Sequence, residues 1–121
     1  MAATLLVADD DADILRFMEI QLRLEGFEVV TAQDGPDALA KAVAVRPDLV
    51  LLDVRMPGID GYTICARIRA DARLAAGPVI IVTANDGAAE VEAAHRVGAD
   101  DFLIKPLLSA TLLGMAKIML S

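Results

Sequence analysis

A chain of 121 residues is long enough for one independent core, since a domain of this size buries roughly two-thirds of its unfolded surface. Apolar residues make up 56% and aromatics 3%, so that core is built mostly from Leu, Ile, Val, Ala and Met. A formal charge of -7 with no two basic residues adjacent argues against nucleic acid as a direct ligand, and the single cysteine, Cys65, rules out an internal disulfide and a cysteine-based zinc site.

The first ten residues lack a cationic segment, a long apolar segment and a cleavage site, so no signal peptide is expected. Thr4–Ala8 is the first of five short apolar runs. A helical segment follows from about Asp11 to Glu25, with Ile14, Met18 and Leu22 on one face and Gly26 as a stop signal. Phe27–Thr31 is the second run, and the next helix starts near Pro36 and must end before Pro47. After the third run, Leu49–Leu52, a helix over about Gly61 to Ala70 turns Ile64 and Ile68 the same way. Val79–Val82 leads to a helix over Ala88 to Val97, ended by Gly98. Phe102–Ile104 is the fifth run, and the last helix opens near Ser109, a suitable N-cap.

Most runs are continuous rather than alternating, as in strands covered on both faces. Five strand–helix alternations predict a parallel sheet with helices on both faces and right-handed crossovers. No repeat, linker or low-complexity segment interrupts it, so residues 1–121 read as one α/β domain with no effector domain in the chain. The longest apolar-rich tract, Leu107 to Leu120, falls short of the ~20 residues of a membrane span and carries Lys117, so no membrane role and a cytoplasmic location are expected.

In sheets of this kind ligands sit at the carboxyl ends of the strands. The first strand ends in Asp9-Asp10, the third in Asp53, the fourth in Thr83 and the fifth in Lys105-Pro106, while the second runs into Ala32 and Gln33, as suits an edge. Three carboxylates in one crevice raise one another's pKa unless a cation compensates. An all-oxygen ligand set without His or Cys favours Mg²⁺, and a divalent cation beside a lysine attracts phosphate. A carboxylate at the centre of such a site can attack phosphorus to give an aspartyl phosphate, with metal and lysine offsetting the phosphoryl charge.

This constellation resembles the receiver domain of bacterial two-component response regulators, over essentially the whole chain. The likeness is carried by VADDD after the first strand, LLDVRMPGIDGY around Asp53, IIVTAND around Thr83 and GADDFLIKP ending at Pro106; the spacings from Asp53 to Thr83 and Thr83 to Lys105 are 30 and 22 positions. It implies a flavodoxin-like, doubly wound five-stranded parallel sheet of order 2-1-3-4-5 with five helices. It further implies that Asp53 is the phosphoacceptor, that Asp10 and Asp53 bind Mg²⁺ directly, Asp9 through water, and that the Arg55 backbone carbonyl is another ligand. Lys105 would contact the phosphoryl group, with the Lys105-Pro106 bond cis. Thr83 would swing to the phosphoryl oxygen and Phe102 turn inward behind it, a two-state switch. The implied role is a signalling switch rather than a turnover enzyme. Its partners would be a histidine kinase or phosphotransfer protein and a downstream effector or output domain, reached through the face of the fourth helix, fifth strand and fifth helix, which could also serve a homodimer.

Other residues have plainer readings. Asp11 and Asp13 belong to the start of the first helix, where negative charge is favoured. His95 is expected to face solvent or a partner and Cys65 to be a small core or half-buried side chain; Asp100 and Asp101 are expected to be solvated, as are Arg67, Arg69 and Arg73. Arg55 and Asn85, two residues beyond Asp53 and Thr83, would flank the phosphoryl group and affect its lifetime. The last helix is unusually apolar: Leu108, Met115 and Ile118 add to Leu112 and Met119 as core candidates, more than one face can bury. That surplus motivates the partner surface, and also an alternative in which the domain docks through it without phosphorylation. Three aspartates after the first strand would repel a flavin phosphate, Arg55 stands where an aspartate-nucleophile phosphatase usually carries its second acid, and no G-x-G-x-x-G fingerprint is present.

Overall fold

In the computed structural model, which describes residues 2–74, 77–84, 87–105 and 109–120, strand and helix alternate as β1 (Thr4–Ala8), α1 (Ala12–Leu24), β2 (Glu28–Ala32), α2 (Gly35–Val45), β3 (Leu49–Asp53), α3 (Gly61–Ala70), β4 (Val79–Thr83), α4 (Ala88–Arg96), β5 (Asp101–Ile104) and α5 (Ser109–Leu120). The strands form one sheet, every pair parallel, in the order β2-β1-β3-β4-β5. This is the expected doubly wound, flavodoxin-like arrangement, with β2 at an edge.

Period-two alternation divides the strand residues between two cores. Leu6, Ala8, Val50, Leu52, Val79 and Ile81 face α2, α3 and α4 and meet Ala38, Ala42, Ile64, Cys65, Ile68 and Ala94. Leu5, Val7, Leu49, Leu51, Ile80 and Val82 face α1 and α5 and meet Leu15, Met18, Leu22, Leu112 and Ala116. The continuous apolar runs are thereby explained, since each residue has a helix over it on one side or the other.

Helix starts follow local chemistry. Asp11 caps α1 by accepting from the Asp13 and Ile14 amides at 2.9 and 3.3 Å, with Asp13 in the first turn. Asp34 caps α2 and Asp60 caps α3, each accepting one amide at 2.8 Å. The N-cap of α4 is Gly87, which brings no side-chain oxygen. The second strand starts one residue later than its apolar run because the Phe27 amide bonds back to Leu22 O, completing the end of α1 with Gly26 at φ 94°. On α1 the buried set is Leu15, Met18 and Leu22, with Ile14 half-buried beside them.

The last helix departs from its pattern. Leu112 and Ala116 are its buried residues; Met115 and Met119 are half-buried against the α1/α5 core, and Ile118 is 69% exposed. The apolar surplus is therefore smaller than the composition of the helix suggests, because side chains flanking the seam also reach the core. Leu108 and the Lys105-Pro106 bond lie outside the described residues. Ser109 is the first residue of α5, and its hydroxyl donates to Gln21 Oε1 on α1 at 2.6 Å. Among the described residues no helix is long and apolar enough to cross a membrane.

Gly61 fixes α3 against the end of β3. Its amide donates to Val54 O at 2.9 Å, and a Cβ placed on it would collide with the Asp53 carbonyl. That neighbour is backbone in a central strand and yields only by shifting the strand end. Gly61→Ala is expected to lower stability by about 1–3 kcal/mol, measured by urea unfolding, while Gly114→Ala, where nothing lies within 4 Å, should not destabilise.

Candidate functional site

Strand register brings the charged residues together. Ala8 pairs with Leu52, so Asp9 and Asp53 emerge side by side one residue later. Asp53 pairs with Val82 and Thr83 with Ile104, which sets Thr83 and Lys105 along the same rim. The Lys105 amide donates to Thr83 O at 2.8 Å, and the Asp9 amide to Ala32 O at 3.1 Å. Asp53 and Thr83 are thus the last paired residues of their strands, held by the sheet ladder itself.

Burial makes this cluster electrostatically unusual. Asp9 is 0% exposed, Asp53 5% and Thr83 6%, while Asp10 is exposed. Asp9 Oδ1 accepts the Asp11 amide at 2.9 Å; Asp9 Oδ2 is buried without a well-directed hydrogen bond among the described residues, its charge offset by Lys105 Nζ at 3.0 Å. The same ammonium lies 3.1 Å from Asp53 Oδ1. Burial, reinforced by the Asp9 charge and opposed by Lys105, raises the Asp53 carboxyl to about 6. For Lys105, burial acts to lower the pKa, but Asp9 and Asp53 prevail and hold it above the usual lysine value.

Asp9, Asp10 and Asp53 each offer an oxygen within 4.8 Å of the others. An all-carboxylate donor set that includes a buried oxygen lacking a directed donor suits a hard divalent cation. Asp10, Asp53, Arg55, Thr83 and Lys105 border an open cavity of about 290 Å³, and Asp9 is fully buried beside Lys105. A second cavity, of about 140 Å³, lies between α2 and α3 at the opposite ends of the strands; its lining is largely apolar, with Arg46 and Arg73, and it gathers no acid or hydroxyl set.

Asp9, Asp10, Asp53, Thr83 and Lys105 converge here, and Phe102 on β5 is half-buried against the α2–α4 core. Asn85 lies outside the described residues. His95 is exposed and Cys65 fully buried. Two expectations are corrected. Asp100 is not simply solvated: its Oδ2 accepts the Val79 amide at 2.7 Å and Arg69 Nη2 at 2.6 Å. Arg69 likewise does not face solvent alone, because it also donates to Gly98 O at 2.8 Å and to Gly77 O. Both bonds join segments remote in sequence, which charge patterning does not register. Glu90 is an addition: it lines the acidic cavity and accepts from Tyr62 on α3. The sole tyrosine of the chain was the available signal, but its partner is set by helix packing.

The raised Asp53 pKa has a consequence for stability. The folded state holds this proton more tightly than the unfolded chain, where Asp titrates near 3.9. That advantage is present at low pH and is lost as pH rises through about 6. Above this window the ionised, metal-free site costs on the order of 3 kcal/mol. Metal-free Asp53→Asn should therefore unfold at higher temperature than wild type at pH 8, with the gap shrinking toward pH 5. A gap independent of pH would contradict the assignment.

Comparison with known proteins agrees with this geometry. The family model described as the response regulator receiver domain matches residues 5–117. The chain is 45% identical over 107 residues to the response regulator PleD of Caulobacter vibrioides, covering 88% of this chain and 24% of that protein. It is 42% identical over 115 residues to the transcriptional regulatory protein PrrA of Mycobacterium tuberculosis, covering 95% and 48%. The chain thus spans a quarter to a half of the length of these relatives. The chemotaxis protein CheY4 of Vibrio cholerae superposes with a TM-score of 0.94 at 31% identity, covering 98% of this chain and 99% of that one. With a shared fold, a shared sequence over nearly its whole length and an acidic pocket at the strand ends, the chain belongs to the receiver domains of two-component response regulators.

Proposed function

We propose that Asp53 accepts a phosphoryl group from a histidine kinase or phosphotransfer protein, in a Mg²⁺-dependent reaction that switches the α4-β5-α5 face. The observation that carries this reading is the convergence of Asp53 with Asp9, Asp10, Thr83 and Lys105 at the ends of β1, β3, β4 and β5. With its carboxyl held near 6 even without a cation, Asp53 is ionised at neutral pH, the form needed to attack phosphorus. A carboxylate oxygen of Asp53 forms the new bond as the bond from phosphorus to the donor nitrogen breaks, and the electron pair leaves with the donor. Lys105, already 3.1 Å from Asp53 Oδ1, offsets charge on the phosphoryl oxygens.

Asp10, Asp53 and the Arg55 carbonyl would hold Mg²⁺, with Asp9 reaching it through water; the ion supplies charge neutralisation for carboxylates and phosphoryl group alike. Thr83 would then bond a phosphoryl oxygen and Phe102 turn further inward. On this reading the chain catalyses only its own phosphorylation and dephosphorylation and works in the cytoplasm as a relay. Its output would be an effector protein or domain, or a second copy, docking on the α4-β5-α5 face, where Val91, Ile104 and Ile118 are exposed. The alternative of docking without phosphorylation has no support from the family comparison and leaves the complete acid–Thr–Lys set without a use.

Incubation with acetyl phosphate and Mg²⁺ is expected to add the mass of one phosphoryl group. Chelation of the metal or Asp53→Asn should abolish it; a gain that survives either change would overturn the mechanism. For the output face, Ile118→Glu should leave this mass gain intact while weakening phosphorylation-dependent self-association or effector binding, read by sedimentation and by pull-down of the cognate effector.

A further inference from the structure

The four helices that follow β1 to β4 are fastened differently. Helices α1, α2 and α3 each start on an aspartate whose side chain caps amide groups, but α4 starts on Gly87. The single buried residue of α4, Ala94, lies in its C-terminal half. That end is anchored to α3: Cys65 Sγ donates to Val97 O at 3.4 Å, and Arg69 holds Gly98 O and the Asp100 carboxylate. Toward the N-terminal end the bond to α3 comes from Tyr62, whose hydroxyl donates to the Glu90 carboxylate and lies 3.4 Å from the Glu90 carbonyl oxygen. Glu90 is in the first turn of α4 and also lines the cavity that holds Asp53, Thr83 and Lys105.

We propose that the Tyr62–Glu90 hydrogen bond is a latch that holds the first turn of α4 against α3 at the rim of the acidic cavity, and that phosphorylation of Asp53 opens it. The inference rests on the phosphoacceptor reading above and names the contact through which that site is coupled to α4. Two physical arguments give the direction. A phosphoryl group brings negative charge into the cavity that Glu90 lines. Thr83, at the end of β4, and Glu90, in the first turn of α4, line the same cavity, so a displacement of Thr83 toward the phosphoryl group would change the surroundings of Glu90. The C-terminal anchor at Val97, Gly98 and Asp100 would then serve as the pivot. The Tyr62 phenol is held above its usual pKa, first by burial and then by its bond to Glu90, as expected for a phenol donating to a carboxylate.

The chain offers its own probe, because Tyr62 is the sole tyrosine and there is no tryptophan. Phenol emission is quenched by a carboxylate acceptor, so the resting protein should emit weakly. Acetyl phosphate with Mg²⁺ should raise the emission in step with the mass gain on Asp53, whereas Mg²⁺ alone should not. Glu90→Gln should emit strongly from the outset, and its phenol should ionise closer to the ordinary tyrosine value near 10. Tyr62→Phe keeps the ring packing but lacks the donor; its phosphorylation by acetyl phosphate should accelerate, by about tenfold or more, the factor one hydrogen bond to a charged group is worth. A complete mass gain with unchanged emission would sink the latch and leave the phosphoacceptor standing. Absence of the mass gain would remove the phosphoacceptor and the latch's trigger with it. Resting emission of Glu90→Gln equal to wild type, or a Tyr62→Phe rate equal to wild type, would also overturn the proposal.

Discussion

One ammonium group facing two buried carboxylates is the constraint around which this molecule is organised. Lys105 stands 3.0 Å from Asp9 and 3.1 Å from Asp53, and neither acid has more than a trace of exposure. A buried charge is expensive unless fully compensated, and here compensation is one positive charge short. Burial, together with that deficit, raises the Asp53 carboxyl, and among the described residues Asp9 Oδ2 has no directed donor. The same deficit makes the site receptive to a divalent cation, and through the cation to phosphate. Function and local instability are therefore consequences of one arrangement.

Such a site holds its shape only on a stiff support. β1, β3 and β4 are central strands, and β3 and β4 are buried along their whole length, with helices over both faces. The side chains that matter sit at the last paired positions or one step beyond, where the ladder still sets the backbone but the cavity is already open. Gly61 completes this frame by letting α3 approach the Asp53 carbonyl more closely than any other residue would allow. The strongly held part of the molecule is the part to which the proposed chemistry is assigned.

The other side of the cavity is built differently. α4 has a glycine at its start and a single buried alanine, against the aspartate caps and larger buried residues of α1 and α3. Its C-terminal end is tied by Arg69, Asp100 and Cys65, and its first turn meets α3 through Glu90 and Tyr62. A site set on buried strands beside a helix tied to α3 near both ends is a form compatible with the proposed population-shift switch.

Much of this was legible in the residues. Continuous apolar runs determined buried parallel strands, Gly and Pro punctuation determined where helices stop, and Asp9, Asp10, Asp53, Thr83 and Lys105 declared themselves by standing at strand ends. These are local signals, because strand burial, capping and turn chemistry act over a few neighbouring residues. Tertiary structure alone decided which side chains are shared between remote segments. It made Ala116 a core residue of α5, with Met119 beside the seam, and turned Arg69 and Asp100 from solvated charges into a tie between α3 and the approach to β5. It also placed Glu90 on Tyr62, at the edge of the site. Those outcomes depend on how helices settle on the sheet, and the energy of a contact across 28 or 31 positions of chain leaves no periodic trace in the sequence.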